Sequence, residues 1–214
     1  MPPTLVNIAL GVLVGVALLG AAFDRRSLTV VAAAAAAPDA DAALELVAIG
    51  TTNAVFHSLF IPLAAAVLLS YDTRLRETSW LRSWYGWYGV RVAWVATAAY
   101  AVAGIAPELF SPAGAAVLYP LSDRYFAVVG RLVISTQEGL VQTYVEFGSG
   151  AFGLASPGTT DTHHVRSWVA PGDDDRRLYL VESGWQAVLV GGAVVAAVAK
   201  SRVERIDRAA GGGR

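Results

Sequence analysis

Residues 5–23 read LVNIALGVLVGVALLGAAF, and Asp24, Arg25 and Arg26 follow at once. A run of this length, apolar but for Asn7, matches the ~20 residues a helix needs to cross about 30 Å of hydrocarbon, so lipid is a better solvent for it than water. Met1–Thr4 carries no Lys or Arg, and the run therefore reads as a retained spanning helix rather than a cleaved signal peptide. Within it, Gly11 and Gly15 form a G-x-x-x-G pair that would let a second helix backbone approach closely. Ala187 and Gly191 offer a similar small-residue face near the other end of the chain.

The rest of the composition agrees with that solvent. Hydrophobic residues make up 55% of the 214 residues and charged ones only 15%, against about a quarter charged in soluble domains. Sixteen basic and seventeen acidic side chains give a net charge of -1. That balance, without a long basic run, sets nucleic acid aside. The absence of cysteine removes disulfides, thiol catalysis and thiolate metal sites together. Lys200 is the single lysine among the basic residues, and acidic clusters such as Asp173–Asp175 occur in the loops, a bias that suggests a high-GC, salt-adapted prokaryote.

Reading outward, Ser27–Ala37 is apolar but short, and Pro38, Asp39 and Asp41 interrupt it. It either crosses with its acidic end at the far surface or folds back. Leu44–Ser70 is long enough to span, and carries Glu45, Asn53, His57 and Pro62, with Glu45 placed near a surface and Pro62 as a kink. Arg74, Arg76 and Arg82 then precede Trp84, Tyr85, Trp87 and Tyr88, the pattern of a cytoplasmic interface. A helix is predicted over Trp87–Ala106, with Arg91 snorkelling to the surface. Pro107–Leu121 is a bent passage broken by three prolines, and Leu178–Ala199 is the last spanning candidate, with Glu182 and Gln186 near its start.

Between these lie Arg131, Ser135, Glu138, Gln142, Glu146 and Ser149, spaced by four, three, four, four and three. The spacing predicts an amphipathic helix over about 123–148 with one polar face, lying flat on the bilayer or lining a polar path. Arg131, Glu138, Gln142 and Glu146 are accordingly ion-path candidates, together with His57. A polar loop over 149–177 follows, and a basic, Gly-ending tail over 200–214. The expected fold is all-α: a polytopic helical integral membrane protein, one domain over 1–199, with about five crossings (four to six) plus the amphipathic helix. Arginine placement puts the N-terminus outside and the C-terminus in the cytoplasm.

Chemical motifs are sparse. His163 and His164 are adjacent with Asp161 nearby, but zinc needs three or four convergent ligands and a second element would have to supply the rest; a solvated loop is the simpler reading. His57 either relays protons or hydrogen-bonds a neighbouring helix. No nucleophile elbow, phosphate loop or HExxH is present. No catalytic residue, cofactor or metal site is assigned.

Leu46–Leu69, LVAIGTTNAVFHSLFIPLAAAVLL, resembles a helix of the antiporter-like membrane subunits shared by Mrp-type cation/proton antiporters and respiratory complex I, in which a small-residue turn precedes Phe-His. Ala103–Phe110, AGIAPELF, is similar to the Gly-x-x-Pro closing a late helix in those subunits. The resemblance implies an ion-handling membrane subunit with His57 as a polar relay. It departs at the buried lysines those proteins use, which no spanning segment here supplies, and at the second histidine and lysine after His57, where Ser58–Leu63 stand. The family's lateral helix is cytoplasmic, whereas the charge pattern puts the stripe outside. The expectation is an accessory subunit of a cation/proton antiporter-like complex in the cell membrane, with lipid and other membrane subunits as partners. A membrane scaffold without transport activity and an intramembrane enzyme are the alternatives.

Overall fold

The computed structural model describes residues 3–48, 50–128, 133–135, 139–142, 156–165, 167, 169 and 179–211. Their regular structure is helical apart from a two-stranded ribbon and two isolated bridges. Among the described residues three helices are long and apolar enough to cross a membrane: Arg25–Leu44, Trp80–Leu109 and Gly184–Ile206.

The opening run forms α1 over Thr4–Leu18, shorter than the 5–23 stretch because Gly20 takes φ +57° and Gly20–Ala22 wind into a 3-10 turn. α2, Arg25–Ala36, starts at a capping box: the Asp24 carboxylate accepts from the Ser27 N–H at 2.7 Å, and the Ser27 hydroxyl accepts from the Asp24 N–H at 2.9 Å. This draws Arg25 and Arg26 into the helix. A 3-10 turn over Ala37–Ala40 accommodates Pro38 and leads into α3, Asp41–Leu44, so the short alanine-rich segment becomes a candidate span of 20 residues.

The single span expected over Leu44–Ser70 is broken. Residues 45–48 and 50–59 form turns in which Asn53 takes φ +56°, a conformation that asparagine tolerates better than most residues. α4 then runs over Phe60–Ser70 and continues as a π-helical turn, Tyr71–Leu75. Pro62 lies in the first turn of α4, where its missing N–H breaks no ladder bond, and it marks a helix start rather than a kink. α5 covers Trp80–Ala99, beginning before the expected Trp87 because Ser79 caps it and Asp72 accepts from the Trp80 and Leu81 N–H groups at 2.9 and 3.1 Å. Gly86, at φ +64°, interrupts its ladder. A π-helical turn, Tyr100–Ile105, joins α5 to α6, Ala106–Leu109. α7, Gly184–Gly211, continues past Ala199 through most of the expected tail, where Lys200 pairs with Glu204 at 3.2 Å.

Where the stretch expected as an amphipathic helix over 123–148 is described, at 123–128, 133–135 and 139–142, the backbone is extended. Arg124 bridges Thr159 and Phe126 bridges Ala115, and β1 (Val133–Ser135) pairs antiparallel with β2 (Gly139–Gln142). Val133, Ile134, Leu140 and Val141 favour a pleated strand.

The described residues separate into two compact units. In one, drawn from Pro3–Ala37, Pro62–Gly104 and Tyr179–Arg214, α1 packs against α2, α5 and α7, and α2 against α5. Leu19, Phe23, Val31, Ala35, Val92, Val95, Ala99 and Ala103 form its core. A Cβ on Gly11 would overlap the Ala35 Cβ, and one on Gly15 would meet the Leu28 side chain at 2.8 Å. The glycine pair therefore lets α1 approach α2 closely within the chain. Arg91 Nε donates to the Leu18 carbonyl at 2.8 Å and closes the end of α1, a tether the snorkelling expectation lacks. Gly191 has open space beside it and Ala187 is exposed. The other unit, from Pro38–Ile61 and Ile105–Leu178, has a small core of Ala54, Ala116, Tyr125 and Val165.

Gly11→Leu is expected to destabilise the chain by about 1–3 kcal/mol through overpacking against α2. Thermal unfolding in detergent should show a lowered midpoint, and an unchanged midpoint would contradict the α1–α2 contact.

Candidate functional site

Four titratable side chains converge inside the second unit. Asp39 lies in the 3-10 turn after α2, Asp41 opens α3, His57 stands in the turns before α4, and Glu108 is on α6. Asp41, His57 and Glu108 are fully buried and Asp39 is 8% exposed. His57 Nδ1 lies 2.8 Å from Asp41 Oδ2, and Nε2 lies 3.6 Å from Asp39 Oδ1. A carboxylate can only accept, so Nδ1 carries the hydrogen and Nε2 points at Asp39. One ligating atom each from Asp39, His57 and Glu108 fall within 4.8 Å of one another.

Glu108 is held from one side only. The Asn53 amide donates to Oε2 at 2.9 Å and to the Gly114 carbonyl at 3.0 Å, and the Ser111 hydroxyl donates to Oε2 at 3.4 Å. Oε1 of Glu108 and Nε2 of His57 have no hydrogen-bond partner. Buried polar atoms of this kind are costly unless something satisfies them.

The loop carrying His57 is fixed by its neighbours. Glu45 accepts from the N–H groups of Gly50, Thr51 and Thr52 at 3.0, 3.0 and 3.1 Å, and from the Thr52 hydroxyl at 2.9 Å. Tyr125 donates its hydroxyl to the Thr52 carbonyl at 2.6 Å. The Asn53 carbonyl accepts from the Ala116 N–H at 2.9 Å, the Leu59 N–H donates to the Val117 carbonyl at 2.9 Å, and the Ser58 hydroxyl donates to the Tyr119 carbonyl at 2.5 Å. Both ends of the 50–59 segment are thereby fastened.

Burial alone would disfavour an imidazolium at His57. The nearby Asp39 carboxylate, the hydrogen bond to Asp41 and the charges of Asp41 and Glu108 outweigh it and raise the pKa to about 10. For Glu45, burial would raise the pKa, but the backbone N–H donors of Gly50, Thr52 and Thr51 and the Thr52 hydroxyl outweigh it and hold the carboxyl below its usual range. Three carboxylates thus face one imidazole, an arrangement that attracts a cation. At Nε2 a proton and a metal ion are alternatives, because each requires the same lone pair.

Of the sequence candidates, His57 and Asn53 belong to this centre and Glu45 supports it. Arg131, Glu138, Glu146 and Ser149 lie outside the described residues, while Ser135 pairs with Gly139 and Gln142 with Val133 in the ribbon. His163 is committed elsewhere, its Nε2 2.9 Å from the Ala113 carbonyl and its ring edge-on to Tyr125; His164 is exposed. Gln186 accepts from the Glu182 N–H at 2.7 Å, in the manner of a cap for α7. Sequence reasoning took Asp39 and Asp41 as a mere interruption and passed over Glu108. Their shared mark is an acid within a turn of a proline at the end of an apolar run: Pro38-Asp39 and Pro107-Glu108. Comparison with known proteins finds no matching family model, and no match among curated proteins or solved structures.

A carboxylate with a lowered folded pKa stabilises at pH values above its ordinary 4.5, and that contribution is lost as pH falls through the lower folded value. Glu45→Gln should cost about 1–3 kcal/mol at neutral pH and flatten the acid limb of a melting-temperature profile. A variant with the wild-type profile would show that Glu45 does not anchor the loop.

Proposed function

We propose that this chain is an integral membrane protein of five crossings that binds a cation at the His57 centre, as an accessory membrane subunit of a cation/proton exchange assembly. The observation that carries the reading is the cluster itself, in which Asp39, Asp41 and Glu108 surround one imidazole out of solvent. Uncompensated buried carboxylates cost several kcal/mol each, so such a cluster is maintained where a positive charge enters it.

The crossings proposed are α1, α2 with α3, α4, α5 with α6, and α7. Supporting a lipid environment, Leu68, Trp185, Val188 and Val195 are more than 60% exposed, an arrangement that water would penalise. Arg25 and Arg26 open α2, Arg74, Arg76 and Arg82 lie between α4 and the body of α5, and Lys200, Arg202 and Arg205 lie late in α7. Trp80, Trp84, Tyr85 and Trp87 are exposed beside the middle cluster, as residues of a membrane interface are. With those ends in the cytoplasm, the N-terminus lies outside and the C-terminus inside. Along the chain, Asp39, Asp41 and Glu108 stand at the ends of their proposed spans away from the arginines. The resemblance of Leu46–Leu69 to antiporter-like subunits points to the same residue, His57. A scaffold or anchor has no need of such a centre.

Two measurements test this reading. Single cysteines introduced into the cysteine-free chain should be protected from an impermeant reagent in intact cells at positions 78 and 204 and react at 160; labelling at 78 would overturn the orientation. In membrane vesicles containing the native assembly, His57→Ala should abolish or sharply reduce cation-dependent proton exchange at unchanged protein level, and full exchange would remove the proposed role.

A further inference from the structure

This inference rests on the reading of the His57 centre as a cation site. We propose that the cation is a divalent transition-metal ion, held by Nε2 of His57 and one carboxylate oxygen each of Asp39 and Glu108, with Asp41 and Asn53 as positioning residues.

The donor set selects the class of ion. Calcium and magnesium take oxygen ligands, whereas one imidazole nitrogen with two carboxylates suits zinc, iron, cobalt or manganese. Two carboxylates balance the two positive charges, and three protein ligands leave a position for a further group. The separation of 3.6 Å between Nε2 and Asp39 Oδ1 is close to the roughly 3.4 Å expected of two ligands about 2.1 Å from one tetrahedral ion.

The surrounding contacts are those a metal site needs. A ligating histidine usually donates its other ring N–H to a carboxylate, which fixes the tautomer and strengthens the donor nitrogen. Asp41 stands in that place, 2.8 Å from Nδ1. Asn53 holds Oε2 of Glu108 and leaves Oε1 for the ion. His57 Nε2 and Glu108 Oε1, which like Asp41 Oδ1 and Asn53 Oδ1 have no hydrogen-bond partner, belong to fully buried residues. The ion would join three segments far apart in sequence: the end of the α2 span, the turns before α4, and α6.

The test uses the full chain, purified in mild detergent through a tag without histidine. Elemental analysis of the protein as isolated should find one equivalent of a transition metal per chain. After chelation, Zn2+, Mn2+ or Co2+ should raise the melting temperature, and Co2+ should give visible d–d absorption. His57→Gln and Glu108→Gln should lose the bound metal, and Asp41→Asn should lower affinity by about 10–100-fold while keeping the Co2+ spectrum. Should the ligand variants fail to fold, the Asp41→Asn affinity and the wild-type Co2+ spectrum decide. No stoichiometric metal and no thermal response to any of the three ions would overturn the proposal, as would equal affinity in wild type and Asp41→Asn. Metal-free protein whose exchange is still lost in His57→Ala would leave the exchange role with a proton as the cation. Bound metal with exchange unaffected would remove that role and leave the metal site.

Discussion

The hydrogen bond from His57 Nδ1 to Asp41 Oδ2, 2.8 Å long and wholly out of solvent, sets the orientation on which the centre depends. It assigns the tautomer, because the carboxylate can only accept, and so directs Nε2 toward Asp39. Turning the ring over would put the Cδ2–H edge where Nδ1 stands and leave Asp41 without its donor. In a buried site that loss is not recovered from water. The turns around His57 reinforce the choice, since Glu45, Ser58 and Tyr125 fasten the segment on both sides of the ring.

The same contacts explain how so many acids are held together. Glu45 lies apart from the cation centre in its chemistry: it satisfies three consecutive N–H groups, and its charge is spread over the loop it organises. Glu108 receives the Asn53 amide and the Ser111 hydroxyl on one oxygen. These donors satisfy part of each carboxylate and leave defined atoms over. A buried polar network with open atoms is costly, and here one ligating atom each of Asp39, His57 and Glu108 lie within 4.8 Å of one another.

The helical character, the apolar blocks and the arginine-rich ends were legible in the sequence, because composition and run length decide them. The lengths of individual helices were less so. Asp24 extends α2 backwards through a local cap, whereas Gly50–Asn53 divide a run that hydropathy alone joins. The polar stripe from Arg131 to Ser149 satisfied helical periodicity, yet backbone pairing governs the described part of it, where Val133 and Ile134 face β2. Of the centre, His57 and Asn53 were singled out as polar residues in an apolar stretch. Asp39, Asp41 and Glu108 were not, because at the end of a span an acid reads equally well as a surface stop. Only tertiary structure brings residue 108 to residue 53.

Placement of the acids carries the last step. A buried lysine brings its own positive charge into a membrane subunit, and it moves a proton by losing and regaining that charge. An imidazole among three carboxylates does the reverse, since the centre is negative until a cation arrives. On the reading proposed here, Asp39, Asp41 and Glu108 supply the negative charge that draws a cation to His57.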